Sequence, residues 1–309
     1  MAFTAEPYDE ATAATWLVCV TCGTQFPTAD RDAVKSCHIC DDPRQFVPAS
    51  GQSFTTMEDV SKTHSNEFSA CASDSRITFI SSTPKFAIGQ RAMLIKTPGG
   101  NILWDCISLL DDDTIAKIEA RGGLKAIVIS HPHFYSTHVQ WARVFKCPVY
   151  LAAEDKTWAT MASGHQVALE QTETEIEGLG VKAIKLGGHF PGSMVMQFDR
   201  HLLIADTLMT TFSGVGKSDV DALGAARPKP PGLNSFAFLY SIPNFIPLSV
   251  EEMARMWDIL RKYDFQETHG GFAGMDIVDA GVKQRVLDSM HIQAQHMGYG
   301  DHEFMKLTL

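Results

Sequence analysis

Long apolar runs are missing from this sequence, and so is an excess of positive charge. No stretch approaches the roughly 20 consecutive apolar residues that a membrane helix needs, so no membrane partner is expected. Lys and Arg total 26 against 36 Asp and Glu, a formal net charge of -10. That balance argues against a surface built to neutralise phosphate backbones, and so against a nucleic-acid partner. The opening MAFTAEPYDEATAATW lacks the basic segment and apolar core of a secretory signal. An even cysteine count is lacking too: of seven cysteines, four form two close pairs, which suits metal ligation in a reducing compartment better than a disulfide framework. Cytoplasm is the expected location. No internal repeat is visible, and the oligomeric state is left open.

What is present is ample for a core. With 309 residues, 45% hydrophobic and 20% charged, one large domain with a small appendage is expected. We divide the chain into an N-terminal segment with a cysteine module (1–50), a polar linker (51–76) and a main domain (77–309). The main domain opens with short β-rich runs, RITFISS, RAMLIKT and NILWDCIS, the last two joined by PGG as a hairpin. DDDTIAKIEARGG then reads as a helix and LKAIVIS as a buried strand. Residues 138–146 read as a helix. CPVYLAA, GVKAIKL, SMVMQFD and HLLIADT read as strands, and VEEMARMWDILRKY and IVDAGVKQRVLDSMHIQAQHM as helices. Alternation of this kind implies a layered α/β protein with helices covering sheet faces. The Gly- and Pro-rich segment FSGVGKSDVDALGAARPKPPGLNS is long enough to be a functional loop.

Cys19-x2-Cys22 and Cys37-x2-Cys40, with 14 residues between the pairs, have the spacing of four thiolates closing around one zinc ion. The competing reading, two redox pairs, lacks the βαβ context that such motifs occupy. Four thiolates leave no open coordination position, so this zinc is expected to hold structure rather than to do chemistry. The isolated Cys71, Cys106 and Cys147 read as small buried hydrophobes.

A second constellation sits at strand ends. LKAIVIS runs directly into His131-Pro132-His133, and residues i and i+2 leaving a strand point to one side, where one metal can accept both imidazoles. His189 lies in the tight loop GGHFPGS, Asp206 ends the run LLIAD, Asp105 ends NILWD, and His269 follows DFQET.

In these motifs the chain, from about residue 77 to the C-terminus, resembles the metallo-β-lactamase superfamily. The resemblance implies an αββα sandwich with a small N-terminal zinc ribbon. It implies that His131, His133 and His189 hold one zinc, that Asp206 bridges toward a second with His269, and that Asp105 orients loops. The pattern also departs from the family. The second motif usually reads His-x-His-x-Asp-His, whereas HPHFYSTH puts Tyr135 and Ser136 at the Asp and His positions and leaves His138 two positions late. One catalytic zinc and one structural zinc are therefore expected. The ribbon together with SHPHFYSTHVQWA resembles a subgroup of fungal and bacterial metallo-β-lactamase-like hydrolases, fungal lactamases that open plant benzoxazolinones among them.

The function expected is hydrolysis of a small organic amide or ester, most readily a lactam or lactone. Asp206 would ligate the metal or orient its hydroxide, and Tyr135 or His138 would supply the leaving-group proton. Thioester or phosphodiester hydrolysis on the same fold, or a catalytically silent binding protein, are the alternatives. Phosphodiester chemistry is weakened by the missing second-metal ligands.

Overall fold

The computed structural model describes residues 6–230 and 232–309. Residues 1–5 of the acidic opening and Pro231 of the long loop lie outside the described residues. Near the N-terminus β1 (Leu17–Cys19) and β2 (Phe54–Thr56) pair antiparallel and frame the cysteine segment. A seven-stranded sheet follows in chain order: β3 (Ser65–Ala70), β4 (Ile77–Thr83), β5 (Arg91–Thr97), β6 (Gly100–Trp104), β7 (Ala126–Val128), β8 (Val149–Ala152) and β9 (Gln166–Leu169). It is antiparallel from β3 to β6 and parallel from there to β9. The second sheet has six strands, again in chain order: β10 (Glu173–Ile176), β11 (Val181–Lys185), β12 (Met194–Phe198), β13 (His201–Leu203), β14 (Glu267–His269) and β15 (Asp276–Val278). Only β13 and β14 in this sheet run parallel.

Side-chain alternation explains the layering. Met93 and Ile95 of β5, with Ile102 and Trp104 of β6, meet Met194, Met196 and Leu203 of the opposite sheet in one buried cluster. The intervening Leu94 and Leu103 turn outward, where α1 (Asp112–Glu119) and α2 (His138–Phe145) cover them with Ile118, Trp141 and Phe145. On the far side Ile184 and Leu202 meet Met253 and Trp257 of α3 (Val250–Leu260) and Val286 and Met290 of α4 (Val282–His296). The layers are thus helix, sheet, sheet, helix, with three apolar seams between them. Asp111 and Ser249 start α1 and α3 by accepting from the backbone N–H of Thr114 and Glu252.

Two expectations give way here. Part of the polar stretch 51–76, read as a linker, forms β2 and β3, and β3 is the edge strand of the larger sheet. SNEFSA is polar because an edge strand has one free side. Its buried residue is Asn66, which donates to the Leu109 carbonyl at 2.8 Å and to Thr114 Oγ1 at 3.0 Å. The C-terminal helix, expected from residue 277, begins only at Val282, and Asp276–Val278 pair with β14 as the last strand. Among the described residues no helix is long and apolar enough to cross a membrane.

Candidate metal centre

The strand ends of the two sheets converge where the motifs place their polar residues. His131 and His133 follow β7, His189 lies in the loop between β11 and β12, and Asp206 follows β13. All four are buried, and their donor atoms form one group. His131 Nε2 is 3.3 Å from Asp206 Oδ2, His133 Nδ1 is 3.8 Å and His189 Nε2 is 3.7 Å from the same oxygen, and His189 Nε2 is 3.1 Å from His133 Nδ1. Donors around zinc at bond lengths of about 2.0–2.1 Å stand about 3.3 Å apart at the corners of a tetrahedron. These residues fit such an ion. His131 Nε2 and Asp206 Oδ1 have no hydrogen-bond partner although both are buried, which a protein seldom leaves so without a ligand.

Neighbours set the tautomers. His189 Nδ1 donates to the Tyr240 carbonyl at 2.8 Å, which leaves Nε2 with its lone pair toward the cluster. His131 Nδ1 meets Ser130 Oγ at 2.8 Å, and the Ser130 N–H donates to Asp105 Oδ1 at 2.7 Å. Asp105 directly follows β6 in the left-handed region, φ 62°, and burial pushes its carboxyl up to about 7. The loop before His189 needs glycine: Gly188 has φ 86°, and a side chain there would strike Leu248 and Thr207. Burial lowers His133 and His189, and for His189 the two neighbouring imidazoles add to it. Burial alone would raise Asp206, yet the imidazoles around it hold the carboxyl well below its ordinary range.

Three expected site residues are placed elsewhere. Tyr135 is buried, its hydroxyl donating to the Asp155 carbonyl at 3.3 Å, and burial pushes the phenol well above its ordinary value. His138 starts α2. Its Nδ1 faces the Tyr135 carbonyl at 2.8 Å and its Nε2 faces Gln166 Nε2 at 2.9 Å. His269 is the last residue of β14, its Nδ1 2.9 Å from Asp276 and its Nε2 3.1 Å from His201 Nδ1. Its ring lies beside Phe79 on the face that Leu203 shares, turned into the inter-sheet space. Beside His131 stand the rings of Phe134 and Phe190, at 4.6 and 5.9 Å, and Phe272 packs on Phe134 at 6.1 Å.

The four cysteines come together as expected. Cys19 Sγ is 3.7 Å from Cys40 Sγ and Cys22 Sγ 3.7 Å from Cys37 Sγ, too far for disulfides and close to the about 3.8 Å edge of a sulfur tetrahedron with bonds of about 2.3 Å. The sequence did not show where this ribbon docks. Ser108 Oγ donates to the Gly23 carbonyl, the Gln25 N–H to the Ser136 carbonyl, and Arg44 Nε to the His189 carbonyl at 2.8 Å. Arg44 is pinned by Asp42 at 3.0 Å, and its guanidinium lies 4.6 Å over Phe190 and 4.7 Å over Tyr240. The ribbon therefore roofs the metal centre. Asp155 was also missed: its Oδ1 accepts from the Gly192 N–H at 3.0 Å and supports the His189 loop, while burial pushes it up to about 6.

No protein-family model matches the sequence. The uncharacterized protein YmaE of Bacillus subtilis (strain 168) is 34% identical over 258 residues, which is 84% of this chain and 89% of the relative. Among solved structures TMB-1 aligns with a TM-score of 0.51 at 10% identity, over 75% of this chain and 98% of that one. A metallo-beta-lactamase from Pontibacter korlensis aligns at 0.47 and 12% identity, over 73% of this chain and 99% of that one. The chain has the αββα fold of the metallo-β-lactamases with a four-cysteine zinc ribbon added, and it belongs to the family of Bacillus subtilis YmaE.

Proposed function

We propose that this protein is a zinc-dependent hydrolase of a small organic amide or ester, a lactam or lactone above all. The observation that supports it is the convergence of three imidazole nitrogens and the Asp206 carboxylate at one buried point. When bound there, a zinc ion supplies Lewis acidity and an activated water at neutral pH. The chain does the rest. Ser130 and the Tyr240 carbonyl fix two imidazole rings, and burial keeps His133 and His189 in the neutral form that can ligate. Asp206 keeps one oxygen among the imidazoles, and Oδ1, buried and unpartnered, is the acceptor that orients a water proton. Phe134 and Phe190 keep bulk water out, and with Tyr240 they favour a flat substrate. Arg44, paired with Asp42, holds the His189 loop in place through the His189 carbonyl.

Neither Tyr135 nor His138 serves as the proton donor in this reading, since both are committed to other partners. Phosphodiester hydrolysis, best served by a two-metal clamp, is disfavoured by the ligand count. Among the described residues the metal-binding group at Asp206 has four donors, and His269 belongs to another. The four thiolates suit a reducing, cytoplasmic setting. The test is a screen of lactams, lactones and thioesters with zinc-loaded protein beside His189→Ala. We expect turnover in the wild type and, in the variant, loss of the metal at the histidines with at least a hundredfold fall in rate. Near-normal turnover in His189→Ala would remove the metal at the histidines from the reaction, and no turnover of any substrate by the zinc-loaded wild type would favour a binding protein.

A further inference from the structure

A second histidine cluster lies further back along the same strands. His201 opens β13, five residues before Asp206, and His269 pairs with Leu203, three residues before it, so at about 3.3 Å per residue the two clusters stand on the order of 10–15 Å apart. His201 pairs with Glu267 in the parallel register of β13 and β14, and Glu267, His269, His201 and Leu203 share the face turned toward the other sheet. The three polar side chains are buried there, with His201 stacked on Phe198 at 6.0 Å and His269 beside Phe79 at 5.8 Å.

The hydrogen bonds around the cluster decide where the protons sit. His201 Nε2 is 3.0 Å from Asp74 Oδ2, and His269 Nδ1 is 2.9 Å from Asp276 Oδ1. These carboxylates are ionised by ion pairs, Asp74 with Arg76 at 2.6 Å and Asp276 with Arg91 at 2.5 Å. An ionised carboxylate only accepts, so each ring carries its proton on that outer nitrogen. The inner nitrogens, His201 Nδ1 and His269 Nε2, then point lone pairs at one another across 3.1 Å. Glu267 Oε2 adds a third acceptor, 3.4 Å from the first and 3.8 Å from the second; it also accepts from the Ser73 hydroxyl, while its Oε1 is paired with Arg200 at 2.8 Å. With both rings neutral, these acceptors repel unless a metal ion or a further proton lies among them, and two carboxylate-backed imidazoles beside a third carboxylate favour the metal ion. Their spacings fall in the same 3.1–3.8 Å range as those of the His131 centre. The outer carboxylates complete the carboxylate–histidine–metal arrangement that fixes metal-binding imidazoles.

We propose that His201, Glu267 and His269 bind a divalent zinc-like ion, a site separate from the His131 centre and from the ribbon. Two imidazoles and one carboxylate suit zinc better than the all-oxygen environments of calcium or magnesium. Its position, joining β13 to β14 beneath the catalytic loops and tied by Asp74 to the loop before β4, makes it a staple across the two sheets.

The experiment uses the full chain, purified without added metal and again after soaking in zinc sulfate at tenfold molar excess. Metal analysis is paired with diffraction above and below the zinc absorption edge. We expect about three zinc ions per chain and an anomalous peak among His201 Nδ1, His269 Nε2 and Glu267 Oε2. His269→Gln keeps the side-chain volume but not the ring donor. It should lose that peak and one ion while keeping the peaks at the cysteines and at His131. If that variant fails to fold, the wild-type map decides alone. No peak at this position, with about two ions per chain, overturns the proposal in favour of a proton shared between the imidazoles. A peak that appears only at millimolar zinc is adventitious and overturns it as well.

Discussion

At the scale of single residues, the chain's histidines divide by what their second nitrogen touches. His131 and His133 each leave Nε2 without a hydrogen-bond partner and His189 turns its Nε2 to the His133 ring, whereas His138 spends both nitrogens outside the cluster: Nδ1–H donates to the Tyr135 carbonyl and Nε2 accepts from the Gln166 amide. That neutral ring is complete, and burial pushes its value down to about 4. An unfolded His138 protonates near pH 6.5, so between about pH 6.5 and 4 the unfolded chain takes up a proton that the folded chain refuses. This contribution to stability is therefore full above pH 6.5 and is lost as the pH falls through that window, by about 3 kcal/mol at most. His138→Gln removes the titration. We expect it to cost about 1–2 kcal/mol at pH 7.5, where hydrogen bonds are perturbed, and to flatten the acid side of the stability profile. Urea unfolding from pH 4 to 8 measures both, and equal acid slopes in the two proteins would contradict the assignment.

At the scale of elements, the loop carrying His189 and the strap that leaves the ribbon act as one unit. Arg44 connects them through the His189 carbonyl, and Asn244 holds the strap by donating to the carbonyls of Pro43 and Gln45 at 3.0 and 2.8 Å. Arg44→Ala should leave both metal groups filled, lower stability by about 1–3 kcal/mol, the range for a hydrogen bond to a charged group, and reduce kcat/KM about tenfold as His189 loosens. Lys35→Ala, on an exposed part of the ribbon, should do neither. Kinetics and zinc content on both variants test this; lowered stability with unchanged kinetics would reduce Arg44 to a clamp. The elements also show what the sequence could and could not reveal. The motifs HPH, GGHFPGS and LLIAD were legible because each places a donor within a few residues of a strand end. The cysteine pairs were legible because their spacing is local. Arg44 was not, since its partner is 145 residues away, and neither was Asp155, an unremarkable acid whose burial comes from the fold. His269 was legible as a ligand but was assigned to the Asp206 centre, and His201 and Glu267 look like ordinary strand residues until two parallel strands set them beside it. β3 escaped because a polar edge strand has no apolar alternation to read.

At the scale of the whole molecule, the ribbon is not an independent unit. It hydrogen-bonds to Ser108 after β6, to Ser136 after the histidine pair, to Thr160 after β8, and to the His189 loop. The elements it touches are the ones that carry the metal centre, so a change at the cysteines is transmitted to the site through backbone contacts. Metal removal should therefore act on the molecule as a single body. Chelation withdraws a ligand that the folded state binds and the unfolded chain holds weakly, which lowers stability by mass action. For a chain of this length a loss of several kcal/mol corresponds to a fall in Tm of on the order of 10 °C. We expect the holoprotein to melt in one calorimetric transition. The chelated protein should melt at lower temperature, again in one transition, with protease cleavage appearing between residues 20 and 50. Zinc added back should restore Tm and hydrolysis together. Cys37→Ser should reproduce the chelated state in part, losing the ribbon metal and, because the roof loosens, a large share of turnover per folded molecule. A ribbon that melts separately, leaving the His131 centre loaded and active, would show that the roof is an appendage and that the two metal groups are energetically uncoupled.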